Sequence, residues 1–134
     1  MSSDLKIRNL SVSYGPVEAL HDVSFDVNGG QIAAMVGSNG AGKSTVLKAI
    51  TGLVVPSSGM IEVGGAQIAP RPGDALKHGV AMSPEGRRLF ARLGVEENLL
   101  MGAYTVSDAK ARRTMIDRVY NYFPRLKERR RQMA

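Results

Sequence analysis

The chain has 134 residues, 43% hydrophobic and 22% charged, with a formal net charge of +6 and no cysteine. It is long enough to bury a core without disulfides or metal, and too apolar to be disordered. The missing cysteines exclude a disulfide framework and any Cys-based zinc or redox site, as suits a reducing cytosol. Its longest apolar runs, such as "IAAMV", fall far short of the roughly 20 residues that span a bilayer. The charged, alternating start "MSSDLKIRNL" is not a signal peptide. The basic charge sits at one end: residues 110–134 hold nine Lys and Arg against two acids, whereas residues 1–109 are close to neutral. Such asymmetry is read either as a solvated helix face or as a surface for nucleic acid or anionic lipid.

In chain order, "LKIRNLSVSYG" alternates, with Leu5 and Ile7 and then Leu10, Val12 and Tyr14 apolar. "HDVSFDVNGG" does the same with Val23, Phe25 and Val27 before a turn. Both predict half-buried strands of an antiparallel sheet. "IAAMV" is apolar throughout and predicts a strand covered on both faces. A glycine-rich loop follows, and "KSTVLKAITG" predicts a helix closed by Gly52. "SSG" predicts a turn, and "MIEVGGAQI" a hairpin around Gly64 and Gly65. "RPGDALKHG" predicts a short helix ended by Gly79, and "VAMS" a short buried strand. A helix is expected from about Val95. Another spans "SDAKARRTMIDRVYNYF", with Ser107 as cap and Ala109, Ile116, Val119 and Phe123 on one stripe. Pro124 starts a final helix, "PRLKERRRQMA".

The loop "GSNGAGKST", residues 37–45, matches G-x-x-x-x-G-K-[ST] at Gly37, Gly42, Lys43 and Ser44. The composition suits phosphate chemistry. Glycines let backbone N–H groups turn inward and approach phosphate oxygens closely. The helix that starts near Lys43 adds the positive end of its dipole. Lys43 supplies a mobile cation for the β- and γ-phosphates, and the Ser44 hydroxyl is placed to ligate Mg²⁺. Four such matched positions arise by chance in roughly one chain of this size in two hundred, and the flanking strand and helix narrow that further. The competing reading is a glycine-rich turn that merely caps a helix. The expected nucleotide-binding set is therefore Gly37, Ser38, Asn39, Gly40, Ala41, Gly42, Lys43, Ser44 and Thr45.

About 30 residues of antiparallel sheet precede this loop. That order resembles the nucleotide-binding subunits of ABC transporters, and the resemblance extends over essentially the whole chain. It implies an α/β fold: a P-loop NTPase of the ABC ATPase type, with an N-terminal antiparallel β subdomain, a parallel core sheet and an incomplete helical subdomain. Residues 1–134 would be a partial ABC ATPase domain, with 1–85 as nucleotide-binding core and 86–134 as the start of the helical subdomain. In that family an aromatic of the first strands stacks on adenine, and Tyr14 stands at the matching place. Taken alone, Tyr14 reads as a half-buried strand residue. The segment "VAMSPEGRRLFARLGVEENLLMGAY" resembles the loop that leads into the helical subdomain. There the family usually carries a glutamine beside Mg²⁺, and this chain has Glu85. Glu85 is either a metal ligand, as a carboxylate can be, or a surface loop residue. "PEGRRLF" and "NYFPRLKERRRQMA" resemble the branched-chain amino-acid importers.

The resemblance implies ATP and Mg²⁺ as ligands, integral-membrane transporter subunits and a second ABC ATPase subunit as partners, and no nucleic acid. It implies a cytoplasmic location, peripheral on the inner face of the membrane through those partners; residues 85–104 are expected at that interface with Phe90 and Leu93 as apolar anchors, the competing reading being that both simply pack the core. In the family, the signature helix, the strand ending in Asp, the catalytic Glu and the switch His follow a sequence such as "RRRQMA". None occurs here, and His21 and His78 occupy no switch position. The chain thus looks like the N-terminal half of such a subunit, expected to bind ATP but not to hydrolyse it, with no catalytic residue of its own. Two other readings are a non-transport ABC protein that acts on ribosomes or DNA, and a small-molecule kinase. The late position of the loop disfavours the kinase.

Overall fold

In a computed structural model, residues 4–86 and 88–134 are described. They form two compact units that divide between Ser83 and Pro84.

The first unit is built on a four-stranded sheet in the order β2-β1-β3-β4, every pair antiparallel. The strands are β1 (Leu5–Tyr14), β2 (Val17–Val27), β3 (Ser58–Val63) and β4 (Ala66–Gln67). β1 is central, with Ile7 opposite Phe25 on one side and Ile61 on the other. Its apolar residues change phase between Ile7 and Leu10, and the structure absorbs that slip in a bulge. The register shifts there, and Asn9 takes φ 49°. The Asn9 side chain donates to Asp22 Oδ1 at 2.6 Å, and its backbone N–H donates to Ser24 Oγ at 2.8 Å. An extra residue in one strand restores Ile7, Leu10 and Val12 to the buried face, where all three are fully buried. Opposite the bulge, Gly59 sits at φ 97°, where a Cβ would fall 2.5 Å from the Asn9 carbonyl oxygen. Ser58 and Gly59 therefore open β3, and the turn expected at "SSG" is not formed.

The helix α1 (Lys43–Ile50) packs Val46, Ala49 and Ile50 into the same core as Ile7, Leu10, Val12, Leu20, Ile61 and Val63. Each of the Val, Leu and Ile side chains contributes about 1.5–3 kcal/mol on burial, and Ala49 less. Gly52 at φ 72° follows α1, and Gly64 and Gly65 at φ 59° and 83° turn the β3–β4 hairpin, as expected. The helix α2 (Pro72–Lys77) seats Ala75 in the core. Pro72 provides its first turn, and Gly79 at φ 78° follows its end.

Neither residues 32–36 nor residues 80–83, expected as buried strands, belong to a strand in the structure. Ile32 and Val36 are 101% and 92% exposed. A parallel strand takes its ladder bonds from neighbours along its edges and its cover from layers on both faces. Among the described residues every strand pair is antiparallel and none runs beside either segment, so apolar composition alone does not make them strands.

The second unit is helical: α3 (Val95–Gly102), α4 (Ala109–Tyr122) and α5 (Pro124–Glu128). At the start of α3 the Glu97 carboxylate accepts from the Gly94 N–H at 2.7 Å. The chain end returns to supply further acceptors: Val95 N–H donates to Gln132 O at 2.9 Å, and Glu96 N–H to Arg130 O at 3.0 Å. Asn98 ties the preceding loop down, accepting from Phe90 N–H at 2.9 Å and donating to Phe90 O at 3.1 Å. The cap of α4 is Asp108, not Ser107. Its carboxylate accepts from the N–H groups of Lys110 and Ala111 at 3.0 and 3.2 Å. The expected stripe holds at Ile116 and half-buried Val119, and α4 ends at Tyr122, with Phe123 at φ −131° outside the helix. Ile116 and Tyr120 are buried, whereas Ala109 and Phe123, expected on the stripe, are exposed. The last helix covers only five residues; beyond Glu128 the chain turns back toward Gly94.

Candidate nucleotide-binding loop

The site lies in the first unit, between β2 and α1. Strand β2 starts at Val17, four residues before the sequence pattern suggests, because Gly15 and Pro16 close a two-residue turn that pairs Tyr14 with Val17. The added residues carry Ala19 and Leu20 to the base of the loop. A Cβ on Gly42 would lie 2.5 Å from Leu20 Cδ2 and 2.8 Å from the Ala19 carbonyl oxygen, and Gly42 has φ 84°. Glycine is needed there on both counts. Ala19 and Leu20 are thus part of the site's support. The Gly-Pro turn is the signal in the sequence that could have extended the strand to include them.

From that base the loop closes on itself. Ala41 N–H donates to Ser38 O at 3.2 Å, and Gly40 turns at φ 87° with open space where its side chain would be. Lys43 folds back over the ring, its Nζ donating to the carbonyls of Gly37 and Ser38 at 2.7 and 2.6 Å. An ammonium has three donors, so one stays free to meet an anion at the mouth of the ring. Gly42 is the N-cap of α1 and Lys43, Ser44 and Thr45 form its first turn, so their N–H groups have no intrahelical acceptor. No acid stands in that turn, and the sequence has no Asp or Glu between Asp26 and Glu62. Orphan donors, the helix dipole and a lysine converge, and among the described residues Lys43 has no carboxylate within 4.0 Å, an arrangement that accepts a phosphate group. The residues present fit a nucleotide's phosphates. Residues 37–45 would hold them, and the exposed Ser44 hydroxyl would face a metal ion carried with them.

Tyr14 and Glu85 are not part of this ring. Tyr14 stands at the tip of the β1–β2 hairpin, 46% exposed. Glu85 belongs to the second unit and is exposed. Its carbonyl accepts from Arg88 Nε at 3.4 Å. The neighbouring Phe90 is exposed and Leu93 half-buried. Both histidines make local bonds. His21 Nδ1 lies 3.0 Å from Glu18 Oε1, which raises its pKa, and His78 Nδ1 lies 2.9 Å from the Asp74 carbonyl oxygen. Among the described residues no group of three or more His, Cys, Asp or Glu could hold a metal ion, and no helix is long and apolar enough to cross a membrane.

Residues 20–133 match the family model described as ABC transporter, and the chain belongs to that family. It is 43% identical over 131 residues to the high-affinity branched-chain amino acid transport ATP-binding protein BraG of Pseudomonas aeruginosa, covering 97% of this chain and 56% of that protein. A probable branched-chain amino acid transport ATP-binding protein, LivF of Archaeoglobus fulgidus, is 40% identical, with 92% of this chain and 52% of that protein covered. A solved ATP-binding subunit of an ABC transporter superposes with TM-score 0.78 at 35% identity, covering 96% of this chain and 53% of that one. The chain spans about half the length of these relatives. The fold class is that of the ABC ATPases, P-loop NTPases with an antiparallel N-terminal β subdomain.

Proposed function

We propose that the chain is the nucleotide-binding portion of an ATP-binding subunit that energises branched-chain amino-acid uptake, with Mg-ATP held by residues 37–45. The observation that carries this reading is the closed loop, with Lys43 bonded across it and the first-turn N–H groups of α1 left open. The substrate class rests on likeness. Relatives named for branched-chain amino acid transport align over 97% and 92% of the chain. A ribose import ATP-binding protein of Rhodococcus jostii aligns over 85% at 39% identity. In this reading residues 1–85 are the nucleotide-binding core and 86–134 begin a helical subdomain. Ser44 and Glu85 are metal ligands and Tyr14 stacks on adenine. The chain works on the inner face of the membrane with integral-membrane subunits and a second ATPase subunit.

Calorimetric titration with Mg-ATP tests the cradle. The chain binds, and Lys43→Ala removes measurable binding while circular dichroism stays unchanged. Equal affinity in the two proteins would remove residues 37–45 from the site. Docking is tested by crosslinking in membranes that contain the transporter subunits. Probes placed in residues 85–104 give adducts with those subunits; adducts arising only from the first 30 residues would move the docking surface elsewhere.

A further inference from the structure

The end of the chain carries charge for which the phosphate loop has no use. Of the two acids in residues 110–134, Asp117 lies 3.9 Å from Arg113 and Glu128 lies 2.8 Å from Arg125. Lys127, Arg130 and Arg131 have no carboxylate within 4.0 Å among the described residues. With Pro124 and Glu128 they line an open pocket of about 480 Å³, so three unpaired cations meet one already neutralised carboxylate. Directly before Pro124 stand two exposed aromatics, Tyr122 at 72% and Phe123 at 60%. Met115, two turns earlier on the same stripe of α4 as Tyr122, is exposed as well, as is Met133 at the chain end.

We propose that the end of α4, α5 and residues 129–133 form a docking surface for anionic phospholipid, with Lys127, Arg130 and Arg131 taking headgroup phosphates and Tyr122 and Phe123 resting at the interfacial level. Charge complementarity selects an anionic occupant, because each Lys or Arg near an anionic membrane adds to attraction that decays within a Debye length. The aromatics select a lipid interface, where rings with one apolar and one polar side are favoured. Nucleic acid fits less well, because Tyr122 and Phe123 stand together ahead of the cations and residues 125–134 add no further aromatic to alternate with them along a strand of bases. At five residues α5 is too short to insert as an amphipathic helix, so the contact is electrostatic docking with shallow aromatic anchoring. The surface is independent of nucleotide binding and stands whether or not the loop holds ATP.

Vesicle cosedimentation of the 134-residue chain tests it. The chain sediments with vesicles of about 30% phosphatidylglycerol in phosphatidylcholine at about 0.1 M salt, and is released at about 0.5 M. It stays in the supernatant with phosphatidylcholine alone. Replacing Lys127, Arg130 and Arg131 together by Gln lowers the partition about tenfold or more. Arg130→Lys with Arg131→Lys preserves it, since charge and not fork geometry is required. Tyr122→Ser with Phe123→Ser lowers it about threefold and keeps the salt dependence. Equal binding to neutral vesicles, an unchanged partition in the Gln variant, competition by millimolar glycerol phosphate, or tighter salt-dependent binding to an oligonucleotide would each overturn the proposal.

Discussion

Lys43 and Gly42 show how little freedom the loop leaves to individual residues. Gly42 cannot gain a side chain without meeting Leu20 and the Ala19 carbonyl. Lys43 sits where its ammonium both holds the ring shut and faces its mouth. Tyr14 differs in kind. Nothing in the packing requires an aromatic at an exposed hairpin tip, so its value rests on what it touches in a complex. On the stacking proposal, Tyr14→Ala weakens Mg-ATP by about 1–3 kcal/mol, the range measured for base–aromatic stacking, and Tyr14→Phe is nearly neutral because the ring face is kept. Calorimetry on the two variants decides it. If both lose affinity alike, the hydroxyl and not the ring is what matters, and the stacking role fails.

At the scale of elements, the pairing of β1 with β2 sets the loop's base, and one surface ion pair spans that pairing. Arg8 grips Asp26 with both terminal nitrogens, one of them at 2.8 Å from Oδ2. The hydrogen bond from Arg8 lowers the Asp26 pKa in the folded chain below its ordinary value. A carboxyl held lower in the folded than in the unfolded state stabilises the fold above its unfolded pKa. That stabilisation fades as pH falls through the folded value. Asp26→Asn is therefore less stable than the parent at neutral pH, by a small margin because the pair is exposed. The two converge as the solution is acidified through the carboxylate range and below. Denaturant midpoints measured across that range check this, and a gap that stayed constant with pH would show that the ion pair does not link protonation to folding.

For the whole molecule, the question is what a phosphate cradle does by itself. Residues 37–45 offer backbone donors and the Lys43 cation, and on the proposed reading the Ser44 hydroxyl takes the metal. On that reading they would grip the phosphates of the ground state about as well as those of the transition state, and uniform binding does not raise kcat. Hydrolysis needs a base aimed at water and donors that tighten as charge develops. Of the carboxylates in the 134 residues, only Glu85 is proposed for the phosphate end, and as a metal ligand it is a poor base. The 134-residue chain is thus expected to release phosphate from ATP no faster than its Lys43→Ala variant, with or without membrane subunits. A Lys43-dependent turnover in a phosphate-release assay would place a base among these residues.

The sequence alone determined what depends on a few adjacent residues. The glycine-rich loop, the helix behind it, the glycines at Gly52, Gly64 and Gly79, and the two-strand start were all legible, because φ limits, helix period and strand alternation act locally. It even carried the β1 bulge, as a phase slip between Ile7 and Leu10, though alternation alone does not say that Asn9 absorbs it. Tertiary structure decided what needs a partner. Residues 32–36 read as a buried strand by composition, yet a strand exists only where another backbone accepts its bonds, and no described strand lies beside them. The same holds for residues 80–83. Tyr120 is buried one turn beyond Ile116, whereas Phe123 is exposed because α4 ends at Tyr122 and the backbone at Phe123, φ −131° and ψ 74°, leaves the helix before Pro124. Ala19 and Leu20 gained their place beneath Gly42 only when the Gly15 turn folded β2 back along β1, a contact between residues more than twenty apart that no local pattern records.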